Sequence, residues 1–251
     1  MKTVVVAEIG VNFDGTIEHW KSMADTAKHS GASMCKGQLF SKEFVEKNDY
    51  NDETKSYLLQ RVLTAENVKE LVDYGKRIKT QVFFSVFGPK ELKIALDAGV
   101  ETIKIREPDS YNDEIVLLAM ATDKKVFISA TRLPDDPQKA FHPRVTWMYC
   151  PPDDIKRRYP PELAELNLPM IQSGFTGYSN HYPDPLPCIL AVALGARVIE
   201  AHLYPETPTG TLGYLPIDNK VSLRPSQFEE MVEGIKMVEV LGLAPKDEKL
   251  F

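Results

Sequence analysis

No run of 18 consecutive apolar residues occurs in the 251-residue chain, so no transmembrane helix is expected. The opening segment MKTVVVAEIG has too short an apolar run for a secretory signal and meets an acid at Glu8. The expected location is the cytoplasm. Positive charge is not in surplus: 30 Lys and Arg stand against 36 Asp and Glu, a formal net charge of -6. Nucleic acids and anionic membrane surfaces require a basic footprint, so neither is an expected partner. Cysteine is scarce. Cys35, Cys150 and Cys188 are widely spaced in apolar runs, which argues against a disulfide framework or a zinc knuckle and for a reducing compartment. No G-x-G-x-x-G or G-K-S/T loop follows any apolar run, and nucleotide binding of the usual kind is not expected.

What is present is an alternation of two periods. TVVVAEI, from Thr3 to Ile9, is short and β-branched, as suits a strand buried on both faces. Ile17, Trp20, Met23, Ala24 and Ala27 then recur at helical spacing, with Gly31 as the stop. The pattern returns with SMCKGQLF, QVFFSVF, ETIKI, KKVFISA, RVTWMYC, FTGYS and ARVIEAHL as strands. The helices between and after them are AENVKELVDYGKRIKT, PKELKIALDAG, YNDEIVLLAMAT, PPELAELNL, PLPCILAVALG and RPSQFEEMVEGIKMVEVLG. The polar segment Ser41 to Lys55 reads as a loop, and a link through Pro134, Pro137 and Pro143 carries at best a short helix. Eight strand–helix units in about 250 residues predict an α/β chain folded as one (β/α)8 TIM-barrel domain over residues 1–251. An open doubly wound sheet is the competing architecture.

In such barrels the chemistry sits where strands meet their following loops. The polar residues there are Glu8, Lys36, Gln38, Ser85, Lys104, Ser129, Ser179, His181, Glu200 and His202. A strand core of Val, Ile and Phe needs none of them. A single lysine at a strand end snorkels to solvent, but two on neighbouring strands opening into one mouth repel unless an anion lies between them. A phosphate or carboxylate substrate is the natural anion. His181 and His202 end adjacent strands, close enough for both imidazoles to hold one divalent ion and leave positions for water and substrate. His19 and His29 fall in the first helix and are expected to be solvated, His142 falls in a loop, and none is given a role.

Several segments together, VVAEIGVNFDG, MCKGQLF, IKI, GYSNH, AVALGARVIEAH and VSLRP, resemble the N-acetylneuraminate (sialic acid) synthase family over almost the whole chain. Members condense phosphoenolpyruvate with an aldose to a 2-keto-3-deoxy sugar acid and release phosphate. The resemblance implies that His181 and His202 hold a divalent metal, usually Mn2+, with Mg2+ or Co2+ as alternatives. It implies that Lys36, Lys104, Ser129 and Ser179 grip phosphoenolpyruvate, with Ser85 and Arg106 completing the substrate-binding set. The catalytic candidates are Gln38, near the metal-bound water, and Glu8 and Asp218, facing an acceptor like N-acetylmannosamine. A homodimer is expected.

The chain departs from the family pattern at several places. Phe13 stands where the family has His, and Val86 stands in SVFG where Ser-Thr-Pro-Phe is usual, replacing a phosphate-binding hydroxyl. In KIREPD, Glu107 and Asp109 replace a serine and a glutamate, and Arg106 is expected to neutralise Glu107. Asn180 replaces an aspartate. The chain stops at Phe251, where the family continues into a small domain that lends an arginine to the partner's acceptor site. The acceptor is therefore expected to be held by Ser41 to Lys55 and by Tyr204 to Asn219, weakly and with tolerance at the N-acyl position. Two other classes compete: a metal-dependent lyase or isomerase acting on another phosphorylated or carboxylated compound, and a non-catalytic binding protein.

Overall fold

The computed structural model describes residues 2–152, 155, 162–205 and 215–243. Eight parallel strands form one closed barrel in sequence order, which removes the open-sheet alternative. They are β1 Val4–Gly10, β2 Met34–Leu39, β3 Gln81–Val86, β4 Thr102–Ile105, β5 Lys125–Ala130, β6 Val145–Tyr149, β7 Gly177–Asn180 and β8 Val198–His202. The ring closes where β1 pairs with β8, from Val4 opposite Val198 to Glu8 opposite His202. Around it run α1 Ile17–His29, α2 Lys42–Lys47, α3 Asp52–Leu59, α4 Ala65–Ile78, α5 Pro89–Asp97, α6 Asp113–Met120, α7 Pro137–Ala140, α8 Leu186–Ala193 and α9 Pro225–Val240. No helix among the described residues is long and apolar enough to cross a membrane.

Alternate residues of a strand face opposite ways, and the core divides accordingly. On β1, Val5, Ala7 and Ile9 join the large cluster between strands and helices. Val6 points inward and packs with Met34, Phe83, Phe127, Met148 and Val198 in a separate cluster inside the barrel. Phe83 and Phe127 meet edge to face at 5.8 Å there. This apolar plug fills the lower part of the barrel, so the polar side chains lie above it, toward the C-terminal ends of the strands.

The structure corrects some expectations. The segment from Ser41 onward is not a plain loop but holds α2 and α3, because Ser41 caps the N–H of Phe44 and Asn51 caps that of Thr54. Tyr57 Oη donates to the carbonyl of Val11 at 2.6 Å, and Arg61 Nε donates to those of Val11 and Phe13 at 3.0 and 2.7 Å. These bonds pin the α2–α3 unit over the barrel mouth. PPELAELNL does not form an α-helix in its described part; two 3-10 turns, Leu163–Leu166 and Leu168–Ser173, flank Asn167 in the left-handed region at φ 47°. His19 is not solvated: its Nδ1 accepts the N–H of Asp14 at 3.1 Å, and its side chain is 11% exposed. Cys35, Cys150 and Cys188 are buried and form no disulfide.

Candidate active site

Above the apolar plug, one ring of side chains comes from the even strands, as the layering of such barrels requires. It comprises Lys36 of β2, Lys104 of β4 and Glu200 of β8, with Met148 of β6 shared with the plug beneath. Lys104 Nζ crosses the barrel to donate to both oxygens of Glu200 at 3.0 and 2.9 Å, and lies 3.7 Å from Met148 Sδ. Lys36 Nζ reaches Glu200 Oε1 at 2.9 Å and Glu8 Oε2 at 3.2 Å. The odd strands contribute Glu8, Ser85, Ser129 and Ser179 beside this ring. Ser85 accepts from Lys36 at 2.9 Å, and Ser179 donates to Glu200 at 3.1 Å. All seven polar members are buried, so two cations and two carboxylates sit in a nearly water-free layer.

The mutual influence of these groups is large. Burial opposes the charge on Glu200, but Lys104 and Lys36 outweigh it and hold its carboxyl well below the ordinary range. Burial raises the pKa of Glu8, with Lys36 opposing. Burial also works against Lys36, yet Glu200 and Glu8 keep its pKa above the ordinary value. For Lys104 burial wins, pushing its pKa down to about 8 against the attraction of Glu200. The anion expected between the lysines is thus supplied by the protein, as Glu200. The two lysines also stand on alternate rather than neighbouring strands, with β3 between them.

Gln38, two residues beyond Lys36 on the same face, donates to Glu8 Oε1 at 3.1 Å. Gly10 makes room for this pair. It has φ 53°, and a Cβ there would lie 2.8 Å from Glu8 Oε1 and 3.2 Å from Gln38 Nε2, so only glycine suits both the backbone and the space. Ser129 Oγ is buried on the inward face of β5 with no hydrogen-bond partner among the described residues.

The histidines come together as expected from adjacent strand ends. Their rings lie 5.2 Å apart, centroid to centroid, at 57°. Asn180 shapes the turn that delivers His181: its side chain accepts the N–H of Tyr182 and donates to that residue's carbonyl. His181 Nδ1 lies 3.3 Å from the Ser179 carbonyl and 3.8 Å from Cys150 Sγ. A proton held on Nδ1 by the carbonyl leaves the Nε2 lone pair for a metal. His202 Nδ1 is buried without a hydrogen bond, and Asp218 Oδ2 lies 3.5 Å away. The unpartnered Nδ1 of His202 beside a second imidazole is a donor set that a divalent ion accepts, although among the described residues no group of three or more His, Cys, Asp or Glu side chains is arranged to hold one.

Two of the departures resolve structurally. Val86 faces outward into the core between strands and helices while Ser85 faces the mouth, so valine there removes no hydroxyl from the site. Arg106 pairs with the carboxylate of Asp109, not Glu107, because Glu107–Asp109 is a 3-10 turn and side chains three apart share a side. Phe13 is buried in the core. The sequence reading gave no role to Glu200, although its position two residues before His202 on one strand face signals that both point inward. Of the two segments expected to hold the acceptor, Ser41 to Lys55 lies over the mouth, and 206–214 of the other fall outside the described residues. A recess of about 120 Å³ beside the mouth is lined by Gln38, Phe44, Phe87, Arg106 and Asp218 among others. A larger cleft, about 250 Å³ around Lys76, Lys79 and Glu101, lies at the opposite end of the strands and holds none of these groups.

A (β/α)8 barrel with an ion-paired lysine–carboxylate layer below a histidine pair, at the strand ends where such barrels react, defines a barrel enzyme. Residues 23–134 and 153–244 match the family model described as the NeuB family, and the chain belongs to that family. It is 25% identical to the N,N'-diacetyllegionaminic acid synthase of Campylobacter jejuni, over 95% of this chain and 77% of that protein. It is also 25% identical to the N-acetylneuraminate-9-phosphate synthase of Mus musculus, over 94% and 70%. Its fold superposes on the N-acetylneuraminic acid (sialic acid) synthetase of Leptospira borgpetersenii with a TM-score of 0.81, at 23% identity, covering 100% of this chain and 87% of that one.

Proposed function

We propose that this chain is a phosphoenolpyruvate-dependent sugar-acid synthase. Carbon 3 of phosphoenolpyruvate attacks the aldehyde carbon of an amino-aldose, water adds at carbon 2, and phosphate leaves with C–O cleavage, giving a 2-keto-3-deoxy sugar acid. The observation that carries this reading is the buried layer of Lys36, Lys104, Glu200 and Glu8 at the strand ends, one step below the histidine pair, whose lysines a substrate anion would take over from Glu200. The named synthase activities of the family relatives support it.

In this reading Lys36, Lys104, Ser85, Ser129 and Ser179 supply the donors that grip and orient the carboxylate and phosphate of phosphoenolpyruvate. Arg106 adds a cation at the mouth. Lys104, with its pKa near 8, can hold or release a proton at Nζ close to neutrality, and Glu8, with its raised pKa, can do so at a carboxyl oxygen. Gln38 orients Glu8, and Asp218 takes hydrogen bonds from the acceptor. His181 and His202 would hold a divalent ion, Mn2+ before Mg2+ or Co2+, which when bound would polarise the acceptor's carbonyl. The same reading takes the chain as one barrel domain, working in the cytoplasm as a homodimer. Nothing at Val86 favours a lyase or isomerase once that side chain is seen to face away from the mouth.

The test is to mix the protein with Mn2+, phosphoenolpyruvate and a panel of aldoses and to measure phosphate release and product mass. Aldose-dependent phosphate release is expected, with a product whose mass is that of phosphoenolpyruvate, aldose and one water together, less inorganic phosphate. A folded protein that releases none with any aldose refutes the reading.

A further inference from the structure

We propose that Asn12 and Ser222 are positioning residues for Asp218, forming a buried hydrogen-bonded relay that ties that carboxylate to the barrel beside His202. The inference deepens the synthase reading above and rests on it for the step the relay governs. Asn12 stands two residues past the end of β1, and it and Ser222 are 0% and 5% exposed. Asn12 Nδ2 donates to the carbonyl of Leu203 at 2.9 Å and to Ser222 Oγ at 3.0 Å. Ser222 Oγ in turn donates to the carbonyl of Asp218 at 2.7 Å. Asp218 Oδ2 then stands 3.5 Å from His202 Nδ1.

The direction of the relay follows from its groups. An amide nitrogen only donates, so the Ser222 hydroxyl accepts from Asn12 and its one proton is left for the Asp218 carbonyl. The loop that carries Asn12 is itself held, because the carbonyls on either side of it, Val11 and Phe13, accept from Tyr57 and Arg61. The segment at the other end is not. Among the described residues the backbone bonds made by the N–H groups of Asn219, Val221 and Ser222 end on Pro216, Asp218 and Asn219, inside the turn itself, and the next backbone tie to the barrel is the N–H of Leu223 on the His202 carbonyl at 2.8 Å. A side chain on a turn bonded to itself can swing, and the relay is what fixes it. Asp218 is 26% exposed and lines the recess at the mouth with Gln38 and Arg106. Asn12 and Ser222 are closed off from that recess by burial, so they act through Asp218 and not by touching a substrate. Lys36, Lys104 and Ser129, which hold phosphoenolpyruvate in the synthase reading, belong to β2, β4 and β5, outside the relay. The relay therefore bears on the acceptor.

The experiment is steady-state phosphate release by the full chain with Mn2+, varying phosphoenolpyruvate and the acceptor in turn, the acceptor being N-acetylmannosamine or the aldose of the panel turned over fastest. Ser222→Ala should lower kcat/KM for the aldose by on the order of ten- to a hundredfold, the scale of a misplacement of about 1 Å, and leave the KM for phosphoenolpyruvate unchanged. Ser222→Thr keeps the hydroxyl on extended backbone, φ −95° and ψ 143°, and should restore the parent behaviour. Added to Asp218→Ala, Ser222→Ala should cost nothing further, because the relay then has no carboxylate to position. Asn12→Asp keeps the shape but replaces the donors by an acceptor, and should reproduce the Ser222→Ala defect; should it not fold, the Ser222 series decides. Amide exchange reads the anchoring without turnover: Ser222→Ala should speed exchange at Val221 and Leu223 and leave the strand amides protected. Additive losses at Ser222 and Asp218, an equal change in the KM of both substrates, or unaltered exchange overturns the relay. A parent protein that releases no phosphate with any aldose refutes the synthase reading instead, and the exchange rates alone then decide the anchoring.

Discussion

Replacing Glu200 by glutamine tests the buried layer most directly. The carboxylate receives two hydrogen bonds from Lys104, one from Lys36 and one from Ser179. The amide keeps the volume but not the charge. Lys36 retains Glu8 at 3.2 Å, whereas both of the carboxylate bonds of Lys104 end on Glu200. Removing one partner of a buried ion pair costs about 3–5 kcal/mol, because the other charge is left uncompensated. A chain of this size loses roughly 2–4 °C in Tm per kcal/mol, so thermal unfolding followed by circular dichroism at pH 7 should fall by about 6–20 °C. The deficit should also depend on pH. The pKa of Lys104 is about 8 in the parent, against 10.5 for an exposed lysine, and without Glu200 it drops further. Between the folded and unfolded values the unfolded chain binds more protons, so stability rises with pH across that window. The window opens lower in the variant, so its deficit should shrink as pH approaches about 8. Adding Lys104→Met removes the stranded charge and should recover more than half of the loss. A Glu200→Gln protein melting within about 2 °C of the parent, with no pH trend, would refute the electrostatic account.

Three further outcomes are expected. Ser129→Ala should leave the unliganded protein as stable or slightly more so, since it removes a buried hydroxyl without a partner, yet weaken the thermal shift given by phosphoenolpyruvate; a loss of stability of more than about 1 kcal/mol would count against an unsatisfied hydroxyl there. His202→Ala should lower Mn2+ affinity at least tenfold in calorimetric titration while leaving the circular dichroism spectrum intact, and unchanged affinity would remove His202 from the metal set. Gly10→Ala should cost roughly 1–3 kcal/mol from the left-handed backbone alone, and its new methyl should displace Glu8, read as a fall in kcat that exceeds any change in the KM for phosphoenolpyruvate.

The barrel was legible because each unit carries its own punctuation: β-branched strands, 3.6-residue spacing and glycine stops such as Gly31, which adopts φ 91°. The α2 and α3 helices were hidden because they are short and polar, and their only signals are the caps Ser41 and Asn51. Most of the polar residues gathered at the mouth could be picked out as misfits in apolar strands. Their partners could not. Lys104 and Glu200 are 96 residues apart and meet only because β4 and β8 face each other across a closed ring. Val86 was misjudged for lack of one count: inward Ser85 makes the next residue outward. Arg106 was paired with its chain neighbour Glu107, since nothing in the sequence announces a 3-10 turn at that point.

The charge layer also bears on how the ring is completed during folding. The two lysines stand on β2 and β4, but the carboxylate that joins them stands on β8, the last strand of the barrel. Until β8 docks between β7 and β1, any arrangement of the earlier strands that shut water out of the interior would enclose two ammonium groups with Glu8 as their one charged partner from the layer. Such closures are disfavoured by the cost of burying charge, so a premature ring of seven or fewer strands is penalised from within, and the half-built sheet stays open until its final staves arrive. The same four residues therefore weigh against closing the ring before its eighth strand is in place.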